Sequence, residues 1–193
     1  MPSSPSRSCL PSRRNRSAGF TVIELMVVLA IAAVMLGLAA PGFQSLGQQS
    51  RSQAWASALV RDIQLARSTA IQTGAPVTLC AAATPSNCAA NAISWTGGWV
   101  VYQGLAFTAG TSIIVASASA DPNAGADTFT STLAAAAPAL TFNRQGYSPA
   151  AGAGVMFTFA VGTDPKARNC VVVTAVGIPT TYAAGAATPV GAC

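Results

Sequence analysis

The chain has 193 residues, 51% of them apolar and 8% charged, with no histidine and a formal net charge of +5. A mean hydropathy of +0.48 is too high for an ordinary soluble domain and too low for a multi-span transporter, so a membrane piece and a soluble piece are expected. Without histidine neither a Ser-His-Asp triad nor a His-ligated metal site can be built. The five acids (Glu24, Asp62, Asp121, Asp127, Asp164) are scattered, so a paired-carboxylate mechanism would need distant residues to meet in space. The composition argues against an enzyme and implies no metal or other cofactor.

Charge is divided as unevenly as hydropathy. Four of the ten basic residues, Arg7, Arg13, Arg14 and Arg16, precede Gly19, where there is no acid. From Phe20 onward six basic side chains face five acidic ones, a balance of +1, so the mature chain's charge is no argument for nucleic-acid binding. Residues 2–18, rich in Ser, Pro and Arg, cannot bury a core and read as a disordered leader. The run Phe20–Ala40, FTVIELMVVLAIAAVMLGLAA, is about long enough to cross a bilayer as a helix. The upstream arginines would hold the leader in the cytoplasm and send the chain after Pro41 into the periplasm.

A secretory signal peptide would instead end at a small-residue cleavage site. Ala39-Ala40-Pro41 resembles one weakly, with a proline just past the cut. Glu24 also stands against that reading, because a carboxylate at bilayer depth costs roughly 2.5–3.5 kcal/mol and needs a partner. Cleavage before Phe20 would free an α-amine four residues away, in this subunit or a neighbouring one. The alternative is a Glu24 near the interface that reaches lipid headgroups.

Gly19-Phe20-Thr21-Val22-Ile23-Glu24-Leu25 resembles the class III signal of type IV prepilins and type II secretion pseudopilins. The resemblance implies cleavage after Gly19 by prepilin peptidase, N-methylation of Phe20, and pairing of Glu24 with a neighbour's terminus. Assembly would take place with other pilins or pseudopilins on an inner-membrane platform.

Pro41-Gly42 predicts a kink or local melting of the helix. Helical spacing then resumes, with Trp55, Leu59, Ile63, Ala66 and Ala70 on one stripe and Arg51, Arg61, Asp62 and Arg67 off it. Gly74 and Pro76 end it. A continuous helix from Phe20 to Thr73 would span roughly 80 Å.

Strands are predicted at Ala75–Ala82, Trp99–Gln103, Ile113–Ser117, Ala139–Asn143, Val155–Val161 and Cys170–Val176. Pro85-Ser86-Asn87 and Asp121-Pro122-Asn123 read as turns. The tract Ala116–Pro138 reads as a long loop, with a short strand near Phe129. One long helix followed by strands is an α+β pattern, with an antiparallel sheet laid on the amphipathic half of the helix. The expected parts are a leader (1–19), a transmembrane stem (20–41), an amphipathic continuation (42–74) and a β-rich periplasmic domain (75–193).

Leu65-Ala66-Arg67-Ser68-Thr69-Ala70-Ile71, Gly74, Val77-Thr78-Leu79-Cys80, Cys88, Trp95-x-x-Gly98-Trp99 and Leu140-Thr141-Phe142-x-x-x-Gly146 resemble the GspH/FimT family of minor pilins and pseudopilins. That resemblance implies a type IV pilin-like fold and a non-enzymatic filament subunit. It would serve either the type II secretion system or a type IV pilus. Taken locally, Arg67 is either solvated or bonded to the helix–strand turn. Trp95 and Trp99 are expected to pack at the rim of the sheet.

Cys9 leaves with the leader, and Cys80, Cys88, Cys170 and Cys193 remain as an even set in an oxidising compartment. Three pairings are open. Cys80–Cys88, closing a small loop, and Cys170–Cys193, pinning the tail to a strand, are favoured over zinc ligation, for which CxxC spacing is missing, and over free buried thiols.

Some FimT-like proteins are associated with DNA capture through a C-terminal Gly-Arg-x-Arg motif. Here the matching place reads Gly177-Ile178-Pro179-Thr180, without either arginine. DNA affinity comes largely from phosphate neutralisation, so DNA is disfavoured as a partner. Arg144, Lys166 and Arg168 are the residues left to form a small basic patch.

Overall fold

The computed structural model describes residues 19–84, 87–89, 94–107, 111–118, 127–133 and 139–193, with backbone alone for 38–41 and 116–118. The leader, the Asp121-Pro122-Asn123 turn, most of the turn at Pro85 and much of the Ala116–Pro138 tract lie outside the described residues. The chain divides into two compact units, Met1–Pro41 and Gly42–Cys193.

Helix α1 runs Val22–Thr73. Its first turn is capped by Thr21, whose Oγ1 accepts the Glu24 N–H at 3.3 Å while its carbonyl accepts the Leu25 N–H at 3.2 Å. A threonine hydroxyl at this position satisfies an N–H that the helix itself leaves unpaired. In the second unit Ala56, Leu59, Ile63, Ala66 and Ala70 are fully buried, and Trp55 packs part-buried beside them.

Asp62 does not lie off this stripe as its chemistry suggested: it is 1% exposed. Position 62 follows Leu59 by three residues and precedes Ala66 by four, which puts it on the same helix face. Past the helix, Gly74 adopts φ +66°, the left-handed conformation that commonly closes a helix.

The strands are β1 (Val77–Thr84), β2 (Asn87–Cys88), β3 (Gly98–Gln103), β4 (Ile113–Ala118), β5 (Thr128–Ser131), β6 (Ala139–Phe142), β7 (Val155–Ala160), β8 (Arg168–Val173), β9 (Pro179–Ala183), β10 (Ala187–Thr188) and β11 (Gly191–Ala192). In the first sheet, β1 pairs along one edge with β3, which in turn pairs with β4. Its other edge is shared, with β6 against Val77–Cys80 and β2 against Ala82 and Thr84. The second sheet has the order β5-β7-β8-β9, and β10 and β11 form a separate hairpin. Every pairing is antiparallel.

Two sheets thus stand where one was expected. Between β6 and β7 the chain leaves the first ladder through a turn at Asn143–Tyr147 and a 3₁₀ turn at Pro149–Ala151, and β7 starts a new one. Val155, Phe157 and Phe159 alternate inward along β7. They join the helix stripe and the β1 and β3 residues Val77, Leu79 and Val101 in one core.

Trp95 and Trp99 lie within this core, both 0% exposed, and not at a sheet rim. The Trp95 N–H donates to the Phe129 carbonyl at 2.7 Å, and Ser94 bridges Thr130, so this segment is tied to β5. That tether turns the Trp95 ring inward, 5.0 Å from the Phe157 ring and 5.7 Å from that of Phe129. Trp99 meets Phe129 edge-on at 5.7 Å and Trp55 at 6.0 Å. Such pairs add about 0.5–1.5 kcal/mol each beyond burial.

Candidate functional site

Among the described residues of the first unit no side chain is buried. Phe20 is 79% exposed, and Val22, Ile23, Leu25, Met26, Val27, Val28, Leu29, Ile31, Val34, Met35 and Leu36 are all exposed. A helix apolar on every side needs an apolar environment from outside the chain. Among the described residues no single helix is long and apolar enough to cross a membrane; Val22–Gly37 and Gly42–Thr73 pass that test together, by length and composition. Glu24 is the single acid in the run from Phe20 to Ala40 and lies in the first turn of α1, exposed. A carboxylate there complements the positive end of the helix dipole.

The second unit is closed by contrast. Polar side chains of α1 clasp the second sheet: Arg51 Nη2 bonds Asp127 Oδ2 at 2.6 Å, Asn169 Nδ2 donates to Ser52 Oγ at 2.6 Å, and Gln49 Nε2 reaches Asp164 Oδ2 at 3.3 Å. The Trp99 indole N–H donates to Asp62 Oδ2 at 2.9 Å, and Arg61 Nε donates to Oδ1 at 3.1 Å, so both oxygens of this buried carboxylate are engaged. Burial pushes the Tyr102 hydroxyl above its usual range, an effect that a hydrogen bond with Thr78 opposes.

Disulfides join Cys80 to Cys88 and Cys170 to Cys193, with Cα separations of 5.8 and 5.7 Å. The first ties β1 to β2, and the second ties the tail to β8 beside the β10–β11 hairpin. No cluster of three or more His, Cys, Asp or Glu able to hold a metal occurs among the described residues.

Arg67 is half-buried, and its bond runs to a distant loop rather than to the helix–strand turn. Its Nε donates to the Gly146 carbonyl at 3.1 Å, 79 positions along the chain. The three remaining basic residues do not converge. Arg144 lines a surface depression with Gly74, Pro76 and Leu105 at the C-terminal end of α1. Lys166 and Arg168 flank Asn169 and the Asp164 turn, whose partners are Ser52 and Gln49. Along the helix those two places lie roughly 35 Å apart.

Sequence reasoning missed Asp62, the burial of the tryptophans and the Arg67–Gly146 bond. The i+3/i−4 spacing could have flagged Asp62. The other two depend on loop placement, for which the sequence carries no local signal.

A long N-terminal helix, apolar and uncovered in its first part and built into an antiparallel β domain in its second, defines the type IV pilin-like class. Among solved structures, the type IV minor pilin FimU of Pseudomonas aeruginosa is similar to this chain in two crystal forms. One is 15% identical and matched over 77% of this chain and 96% of that one, with a TM-score of 0.51. The other is 14% identical, over 73% and 96%, with a TM-score of 0.47. No curated protein sequence matches. The family model of the type II transport protein GspH matches residues 56–177, and the prokaryotic N-terminal methylation motif matches residues 14–40. The chain belongs to the GspH family, and it is a minor pilin or pseudopilin anchored by its N-terminal segment.

Proposed function

We propose that the chain is a non-enzymatic subunit of a filament assembled at the inner membrane, either the pseudopilus of type II protein secretion or a type IV pilus. In this reading prepilin peptidase cuts between Gly19 and Phe20, and the new Phe20 amine is methylated. The stem crosses the membrane once, with the β domain in the periplasm. Its apolar surface packs against other pilins, and Glu24 pairs with a neighbour's N-terminal amine. The observation that carries the reading is the uncovered apolar surface from Phe20 to Leu36, interrupted by one carboxylate. Burial in lipid or against other stems is what such a surface requires.

Co-expression with a prepilin peptidase, followed by intact-mass measurement, tests the processing. The expected product begins at Phe20 and carries one added methyl group. A chain left whole, or cut after Ala40, would reject it. A DNA-capturing role has less support, because Gly177-Ile178-Pro179-Thr180 holds no cation and Arg144 lies far from Lys166 and Arg168.

A further inference from the structure

Three distant pieces of chain cross at one place on the second unit. Gly146 and Gly177 both have positive φ, at 79° and 76°. A Cβ at Gly177 would fall 2.5 Å from the Gly146 carbonyl oxygen and 3.1 Å from Arg67 Cδ. A Cβ at Gly146 would fall 2.8 Å from Ile71 Cδ1 and 3.1 Å from Arg67 Nε. The two glycines let the loops close on the arginine stem, and the Nε–Gly146 bond fixes the plane of the guanidinium. Among the described residues its terminal nitrogens Nη1 and Nη2 have no partner.

Arg67 lines a groove of about 250 Å³ between α1 and the turn into β9. Ser68 and Ile71 line one side and Ile178 and Pro179 the other, and no lining residue is acidic. An immobilised guanidinium with free terminal N–H groups matches a carboxylate in both charge and geometry. Because the side chain is already held, little rotamer entropy remains to be lost on binding. Ile71 and Ile178, both exposed, offer apolar walls for the stem of the incoming residue.

The acids described in the second unit do not offer an occupant from a second copy of the chain. Each acid described there is already engaged: Asp62 by Trp99 and Arg61, Asp127 by Arg51 and the Gly162 N–H, and Asp164 by Gln49 and the Lys166 N–H. We propose that the Arg67 groove receives an Asp or Glu side chain from a different, acidic subunit of the filament. The identity of the partner rests on the filament reading above; the carboxylate chemistry rests on the groove alone.

The test uses the full-length processed chain in detergent micelles, titrated with each purified pilin and pseudopilin of the same cell. Two variants are compared with wild type. Arg67→Gln removes the charge, and Ile178→Asp places a carboxylate in the groove from an exposed position while leaving the Arg67–Gly146 bond intact. The expected result is that one acidic subunit binds the wild type, and that both variants weaken this binding by about tenfold or more without lowering the melting temperature of Ile178→Asp. Replacing the responsible partner acid with lysine should restore binding to Ile178→Asp. Unchanged binding by Ile178→Asp would overturn the groove proposal and leave the filament reading standing. Failure of the wild type to bind any subunit would overturn both. Salt-sensitive binding of duplex DNA that Ile178→Asp abolishes, with subunit binding unaffected, would give the groove to phosphate and also overturn the proposal.

Discussion

Two stretches of the same helix solve opposite problems with similar residues. Val22–Gly37 displays Val, Leu, Ile and Met around its circumference and leaves them exposed, whereas Ser52–Ala70 gathers Leu59, Ile63 and three alanines into a single buried stripe. Among the described residues nothing covers the stem, and an apolar surface of this kind calls for lipid or other subunits. The second stretch is covered by its own sheets, and Ala56, Ala66 and Ala70 share one core with Trp99 and Phe129. Apolar content alone therefore does not tell whether a segment builds a fold or an assembly; its angular distribution does.

That contrast can be broken from either side. The largest effect is expected in the core: Trp99→Ala should cost about 3–5 kcal/mol in denaturant melts, by opening a cavity and leaving Asp62 Oδ2 without its donor. Replacing Cys170 and Cys193 by serine should cost about 3.5 kcal/mol and replacing Cys80 and Cys88 about 2.5 kcal/mol, following the logarithm of loop lengths of 23 and 8 residues, measured by thermal unfolding with and without reductant. Asp62→Ala should cost about 1–3 kcal/mol, with Asp62→Asn closer to wild type because its amide oxygen still accepts from the Trp99 indole. The smallest effect belongs to the stem. Val28→Ala should shift the same melt by less than about 0.5 kcal/mol, since Val28 touches no core. A large loss there would mean that the stem is part of the folding unit.

How much of this could be read beforehand depended on how local each signal is. The helix stripe follows from apolar spacing within a few turns, and the motif around Gly19 and Glu24 is a contiguous run, so both are legible. The strands β1, β3, β4, β6, β7 and β8 announced themselves through Val, Ile and aromatic runs. Strands β9 to β11 did not, because Pro179-Thr180-Thr181-Tyr182-Ala183 and the Ala/Gly-rich tail show no apolar alternation to distinguish them from loop. The split into two sheets, the inward turn of Trp95 and the Arg67–Gly146–Gly177 crossing all depend on pairings between distant segments. Asp62 departs from expectation for another reason: its charge points to water, whereas its spacing from Leu59 and Ala66 puts it on the buried face.

The most direct test of assembly through the stem is the incorporation of Glu24→Val into filaments sheared from cells, compared with wild type by immunoblot and mass spectrometry. The variant should be cleaved and methylated normally, retain the wild-type melting temperature of its β domain, and be absent from the filaments. Wild-type levels of Glu24→Val in the filament fraction would contradict the account.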